Sequence, residues 1–236
     1  MYITVAHLEQ MQITFYGHNS FLFKSDINIL VDPFISSNPK AQHILMEDIK
    51  VDYILITHGH ADHLADLDKI MIHNDAKIIT MVEVASWLAK NGHSRSHSLN
   101  FGGIYEFSKE TSVKYVQAVH SSSMPDGSYG GHPGSFILKT DDKTIFIAGD
   151  TALHSDLKLF GTLNDIDLAI LPIGGNYTMD TEDAVHAAKF LDCSKIIGCH
   201  FDSFPEIKID HKSAISLFKS HQLDLKLMKV DDTITL

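Results

Sequence analysis

Thr57-His58-Gly59-His60-Ala61-Asp62-His63 packs three imidazoles and a carboxylate into the six residues from His58 to His63. The run before it, Val51-Asp52-Tyr53-Ile54-Leu55-Ile56, reads as a short buried strand. Ligand-type side chains therefore sit at the C-terminal end of a strand, where open α/β sheets place their sites. His at i and i+2 of an extended or turning segment can face one cation, and the Asp and His that follow can turn toward a second. Imidazole with carboxylate suits borderline metals such as Zn, Mn, Fe or Ni. The chain holds 16 His, so composition alone produces clusters. Ligand types this dense at the end of an apolar strand are a stronger pattern than that.

The bulk numbers set the frame. A chain of 236 residues accommodates one large domain or two small ones, and no Pro/Ser/Gly-rich linker interrupts it, so one domain over residues 1–236 is expected. A hydrophobic fraction of 44% describes an ordinary soluble globular protein. The net charge of −11 and the lack of any Lys/Arg run argue against a nucleic-acid groove. Bound divalent ions would reverse the local field, so a small-molecule substrate, even an anionic one, is permitted. A homo-oligomer is compatible with these numbers. The cysteines, Cys193 and Cys199, lie in or beside an apolar segment and read as buried thiols of a reducing compartment, with the cytoplasm as default. The first residues lack the pattern of a secretory signal, and no apolar run approaches a membrane span. Residues 1–10 read as an N-terminal extension, with Met11 as an alternative start.

Gln12–Tyr16, Ser20–Lys24 and Ile27–Val31 read as an antiparallel meander, broken by Gly17-His18-Asn19 and Ser25-Asp26. Helical spacing covers Leu64–His73 and Val82–Lys90, the latter closed by Asn91-Gly92, with a strand over Lys77–Thr80 between them. Val113–Val119, Ser135–Lys139 and Thr144–Ala148 form a second strand set. Ile166–Pro172 is a buried strand running into Gly174-Gly175. A helix over Thr181–Leu191, a strand over Lys195–Cys199, a helix over His211–Gln222 and a strand over Leu225–Val230 complete the chain. The two halves echo each other: Ile29–Asp32 then Val51–Ile56 parallels Ile145–Asp150 then Ile166–Pro172. A duplicated unit of this kind stacks two sheets face to face with helices outside.

Three later residues share the setting of the first cluster, a polar ligand directly after a strand. His120 follows Val116–Val119, Asp150 follows Phe146-Ile147-Ala148-Gly149, and His200 follows Ile196–Cys199. Each alone is more often a hydrogen-bonded structural residue. With His58, His60, Asp62 and His63 they make seven ligands, enough for two adjacent ions with room for a shared water. Asp32, ending a buried strand before Pro33, reads as an acceptor for the outer nitrogen of a ligand His, or as the Asp of a turn.

HGHADH, HSSS, AGDT and CHFDSFP, in that order, resemble the metallo-β-lactamase superfamily of binuclear hydrolases. GHNSFLF, LVDPF and LPIGGNYTMDTEDA look more specifically like its uncharacterised bacterial metal-dependent hydrolases, related to ascorbate-6-phosphate lactonase-like and phospholipase-D-like branches. The resemblance runs from about Met11 to Pro205. It implies an α/β fold, a four-layer αββα sandwich of two mixed sheets with outer helices. It also implies a first metal on His58, His60 and His120, a second on Asp62, His63 and His200, and Asp150 bridging them. Two divalent ions are the cofactors expected, Zn2+ first, with Mn2+, Fe2+ or Ni2+ as alternatives. Asp at 150, where antibiotic-opening lactamases carry Cys, favours ester, lactone or phosphoester hydrolysis. His at 60, where flavodiiron oxidoreductases carry Glu, disfavours redox chemistry. The family more often has Asp at the position of Gly175 and an aliphatic residue before His200.

Water shared by two ions at roughly 3.5–4 Å has its pKa lowered toward ~7, the nucleophile such a centre implies. Asp62 could orient it besides ligating. His18, after the first strand, is the candidate for proton donor or substrate contact. Asn176 and Tyr177, with Thr178 and Met179, could line the pocket, as could Ser121 and its neighbours Ser122 and Ser123. His132 is a weaker pocket candidate, and His154 and His186 read as ordinary surface or packing residues. Two alternatives compete: a phosphodiesterase or nuclease of the same superfamily, and a non-catalytic metal-binding scaffold with a closed coordination shell.

Overall fold

A computed structural model describes residues 10–140 and 142–236. Apart from Gln10, the extension expected over residues 1–10 lies outside the described residues. The first half of the chain lays down β1 (Gln12–Gly17), β2 (Ser20–Lys24), β3 (Ile29–Val31), β4 (Tyr53–Leu55), α1 (Ala61–Leu64) and α2 (Leu67–Ile72). It continues through β5 (Lys77–Met81), α3 (Val82–Lys90) and β6 (Ser96–Leu99). The second half comprises β7 (Ile104–Glu106), β8 (Ser112–Gln117), β9 (Gly134–Lys139), β10 (Thr144–Ile147), α4 (Asp156–Leu163) and β11 (Leu168–Pro172). After these come α5 (Thr181–Phe190), β12 (Lys195–Cys199), α6 (His211–Ser220), β13 (Asp224–Lys226) and β14 (Thr233–Thr235).

The strands form two seven-stranded sheets, ordered β14-β1-β2-β3-β4-β5-β6 and β13-β12-β11-β10-β9-β8-β7. In the first, β14, β1, β2 and β3 pair antiparallel, and β3, β4, β5 and β6 pair parallel. The second repeats this plan: β7 to β10 antiparallel, β10 to β13 parallel. The echo between the halves is thus a repeated topology. With helices outside, the layers are those of the expected αββα sandwich.

Period-2 alternation explains the layering. Ile145, Ile147, Leu168 and Ile170 face the core shared by both sheets. Their alternates Phe146, Ala148, Ala169 and Leu171 join Leu157 of α4, Ala184 and Ala188 of α5 and Phe218 of α6 in an outer core. Strands buried on both faces read as continuous apolar runs, which is why these segments stand out in the sequence. Asp180 caps α5 by accepting from the Glu182 and Asp183 N–H groups, each at 2.9 Å.

Several elements depart from expectation. The helix expected over Leu64–His73 is split at Asp66, whose carboxylate accepts from the Ile35 and Ser36 N–H groups at 2.6 and 2.7 Å. The strand expected over Leu225–Val230 ends at Lys226, and the chain crosses back to add β14 to the other sheet. Strands β6, β7 and β14 and helix α4 were not expected. Among the described residues, no helix is long and apolar enough to cross a membrane.

The pairings fix where the ligand loops go. β1, β3 and β4 run in one direction, so Gly17-His18, Asp32 and the Thr57–His63 run leave one edge of the first sheet. β8, β10, β11 and β12 likewise share a direction, carrying His120, Asp150, Gly174-Gly175 and His200 to one edge of the second.

Candidate metal centre

The two edges meet across Gly149. Its φ is +61°, and a Cβ there would lie 2.8 Å from Thr57, so only glycine lets the β10 loop approach the β4 loop this closely. His58, His63, Asp150 and His200 are all buried to 2% exposure or less. Three overlapping sets of ligand atoms lie within 4.8 Å of one another: His58/His60/His120, His58/His63/Asp150, and His18/Asp62/His63/His200. All seven residues expected as ligands therefore converge, and His18 joins them.

Asp150 is the hub. Its Oδ2 lies 3.0 Å from His200 Nε2, 3.4 Å from His63 Nε2 and 3.6 Å from His120 Nε2. Yet the buried nitrogens of His63 and His200 make no hydrogen bond there. Its other oxygen, Oδ1, accepts from Asn19 Nδ2 at 2.6 Å. Asn19 holds one oxygen and leaves the other facing three imidazoles.

Outer hydrogen bonds set the tautomers. Thr57 Oγ1 donates its one proton to Asp32 Oδ2 at 2.7 Å, so it accepts from His58 Nδ1 at 3.0 Å. The lone pair of His58 therefore lies on Nε2, which faces His60 Nδ1 at 2.9 Å. His63 Nδ1 donates to Asp32 Oδ2 at 2.7 Å, which turns its Nε2 inward. Asp32, which also accepts from the Thr57 N–H at 2.8 Å, thus orients two imidazoles from behind.

Burial, then mutual repulsion, lowers the pKa of His58, so it is held neutral. Burial likewise lowers His60 and His120. For His63 burial works the same way, but Asp150 and Asp32 outweigh it and push the pKa well above the ordinary value, so its inward Nε2 holds a proton that a bound cation would displace. Burial opposes ionisation of Asp150 too, and His200 and His63 overcome it, holding the carboxyl well below its usual range.

The donor set fits divalent cations. Inward lone pairs, orphaned buried nitrogens and two imidazole nitrogens 2.9 Å apart need a shared cation or proton. Ligand atoms about 2.0–2.2 Å from a tetrahedral ion fall roughly 3.3–3.6 Å apart, close to the separations around Asp150 Oδ2. Among the described residues no Lys or Arg pairs with Asp32, Asp62 or Asp150. Buried carboxylates without compensating charge are costly.

His18 was the expected proton donor or substrate contact, and its surroundings redirect that reading. It is 1% exposed, with Nδ1 2.6 Å from Ser203 Oγ and Nε2 3.0 Å from Asp62 Oδ2. Ser203 donates to Nδ1 and Nε2–H donates to the carboxylate, so neither nitrogen is free to meet a substrate. Burial, then repulsion from His200, lowers its pKa to about 4. Asp62 keeps 29% of its side chain exposed. Ser121 Oγ stands 3.5 Å from His60 Nε2, at the limit of a contact. Asn176 and Tyr177 are exposed and make no side-chain hydrogen bond to the cluster, although Met179 N–H on Thr151 O at 3.0 Å ties their loop beside Asp150. His132 packs against Phe101 and Tyr129 and stands apart, as do His154, against Phe160, and the exposed His186.

Asn19, Thr57 and Ser203, which hydrogen-bond to the cluster, were not singled out from the sequence. Their signal was adjacency to predicted ligands within the quoted motifs. His18, Asp32, Asn176 and His200 all adopt positive φ, at 56°, 41°, 58° and 51°, a conformation that non-glycine residues take at some cost.

Residues 12–200 match the family described as beta-lactamase superfamily domain. The chain belongs to the beta-lactamase superfamily. Within it, this hydrolase is 48% identical to a UPF0173 metal-dependent hydrolase of Flavobacterium johnsoniae, over 96% of this chain and all of the relative. It is 45% identical, over the same shares, to another of that name from Christiangramia forsetii. Among solved structures, Igni18, a metallo hydrolase from Ignicoccus hospitalis, superposes with a TM-score of 0.87 at 30% identity, covering 96% of this chain and 98% of that one. This superfamily member is accordingly a metal-dependent hydrolase.

Proposed function

We propose that this hydrolase holds two divalent cations, zinc foremost, and cleaves an ester, lactone or phosphoester bond of a small, anionic substrate. His58, His60 and His120 would hold one ion, Asp62, His63 and His200 the other, and Asp150 would serve both through Oδ2. The observation that carries this reading is that oxygen, ringed by three imidazole nitrogens at 3.0–3.6 Å while Asn19 occupies its twin. Bound there, such ions supply Lewis acidity and a nucleophile available at neutral pH.

The chain's own residues do the rest. Asp32 and Thr57 keep His63 and His58 in the tautomer whose lone pairs point inward. Asp62, fixed by His18 and partly exposed, is placed to accept a hydrogen bond from the attacking water and orient it. His18 acts as a positioning residue backed by Ser203. The partial exposure of His60, Asp62 and His120 leaves an approach that a closed metal-storage site would lack. Free, buried Cys193 and Cys199 support work in a reducing compartment such as the cytoplasm, and the core shared by both sheets supports a single domain.

Metal analysis of the purified protein, paired with turnover on p-nitrophenyl phosphodiesters, lactones and thioesters, tests the reading. About two ions per chain and activity abolished by Asp150→Ala are expected. Unchanged metal content and turnover in that variant would overturn the assignment.

A further inference from the structure

A cavity of about 390 Å³ lies beside the centre, and of the histidine and carboxylate cluster only His18 lines it. Its walls are largely apolar, built by Phe15, Phe201, Leu227, Met228 and Val230. Its polar side carries Lys40, Lys229, His43 and His211 against one acid, Asp202. That acid is already shared, 3.2 Å from Lys40 Nζ and 2.9 Å from His211 Nε2. Among the described residues Lys229 Nζ pairs with no carboxylate. In a chain of net charge −11, a concave surface with this balance is a local reversal of sign.

We propose that this cavity is a second ligand site, taking a small organic anion: a carboxylate or phosphate head on a compact apolar body. The volume suits a small molecule. The apolar walls take the ring or short alkyl chain, and Lys229 and Lys40 meet the head. The site is also wired to the centre. Ser203 lines the cavity and contacts His18 Nδ1 at 2.6 Å, and His18 Nε2 reaches Asp62 at 3.0 Å. A ligand that displaces Ser203 releases His18, and through it Asp62. This coupling rests on the proposed metal assignment; the binding does not.

The probe is 4-phenylbutyrate, titrated calorimetrically into the protein as purified, with the neutral 4-phenylbutanol as its control. One equivalent of the acid is expected to bind, at least about tenfold more tightly than the alcohol. Lys40→Glu with Lys229→Glu, both exposed positions, weakens the acid by about tenfold or more and leaves the melting temperature and metal content unchanged. Leu227→Trp, which fills the cavity, weakens acid and alcohol alike. Bound probe is expected to shift the apparent metal affinity, and Ser203→Ala keeps the binding but removes that shift. No binding, or equal affinity in the double-Glu and Leu227→Trp variants, overturns the site, as does a solution dimer that covers it. Metal content reports on the proposed reaction and probe binding on this cavity, so the two fail separately.

Discussion

Asp32 directly follows β3 in the first sheet and Asp150 follows β10 in the second after Ala148-Gly149, corresponding strands at which each sheet turns from antiparallel to parallel pairing. Both are buried carboxylates facing imidazoles, yet they do opposite work. Asp32 is surrounded by groups that donate outward bonds, the Thr57 N–H and hydroxyl and the His63 Nδ1–H. Burial dominates there and raises its pKa. Asp150 faces inward-pointing ring nitrogens with one oxygen already held, and the imidazoles lower its pKa despite burial. Corresponding strand ends thus yield a brace in one half and, on the proposed assignment, a ligand in the other. What decides is which nitrogen of the facing His it meets.

The largest effect expected is at Asp150. Asp150→Ala should strip the centre and lower turnover by on the order of 10³ or more, read by metal analysis and kinetics on the same sample. Asp32→Asn should be milder at the metal, roughly 10–100-fold in affinity, because the ligands remain but their tautomers loosen. It should cost about 1–3 kcal/mol in urea unfolding, since a buried amide replaces the shared acceptor. Equal metal loss in the two variants would erase the distinction between brace and ligand. Asn19→Ala frees Asp150 Oδ1, and about a tenfold loss of metal affinity is expected in a competition titration. An unchanged affinity would mean that the second oxygen needs no holder.

The halves should also differ in acid sensitivity. The loop after β3 hangs on the Asp66 carboxylate, whereas the loop after β11 is held by backbone bonds such as Gly175 N–H to Met179 O at 2.9 Å. Burial opposes the charge on Asp66, but bonds from Ser36, Lys69 and the Ile35 and Ser36 amides outweigh it and lower its pKa. A depressed folded value gives stability that is full above the unfolded value near ~4 and is lost as pH falls through the folded one. Asp66→Asn should therefore lower stability by about 1–3 kcal/mol at neutral pH and flatten its fall below about pH 4 in urea titrations. The smallest effect is a null one. Burial raises the pKa of Cys193 and Cys199, so neither should react with a thiol reagent at pH 8 until the protein unfolds.

Much of this was legible because it is local. β4 and the Thr57–His63 run are contiguous, and His120, Asp150 and His200 each follow an apolar strand. The backing bonds were not legible, since Asn19 meets Asp150 across 131 residues and His18 meets Ser203 across 185. β6 escaped notice because Ser96-His97-Ser98-Leu99 is a polar edge strand with only Leu99 buried. α4 hid behind Gly161, a poor helix former that is needed where α4 approaches Leu191, whose backbone would lie 2.5 Å from a Cβ. The split at Asp66 reflects a partner some 30 residues away that no helical periodicity encodes.

β14 is made by the last residues of the second half but belongs to the first sheet, alongside β1. The tail is therefore a stitch, and shared cations at the ligand edge would be a rivet along the same seam. A molecule short of metal would keep the stitch and lose the rivet, opening its ligand loops to proteases. Metal supply would then set how long each copy survives. Limited proteolysis with and without chelator tests this, and identical cleavage rates at the 57–66 and 120–134 loops would refute it.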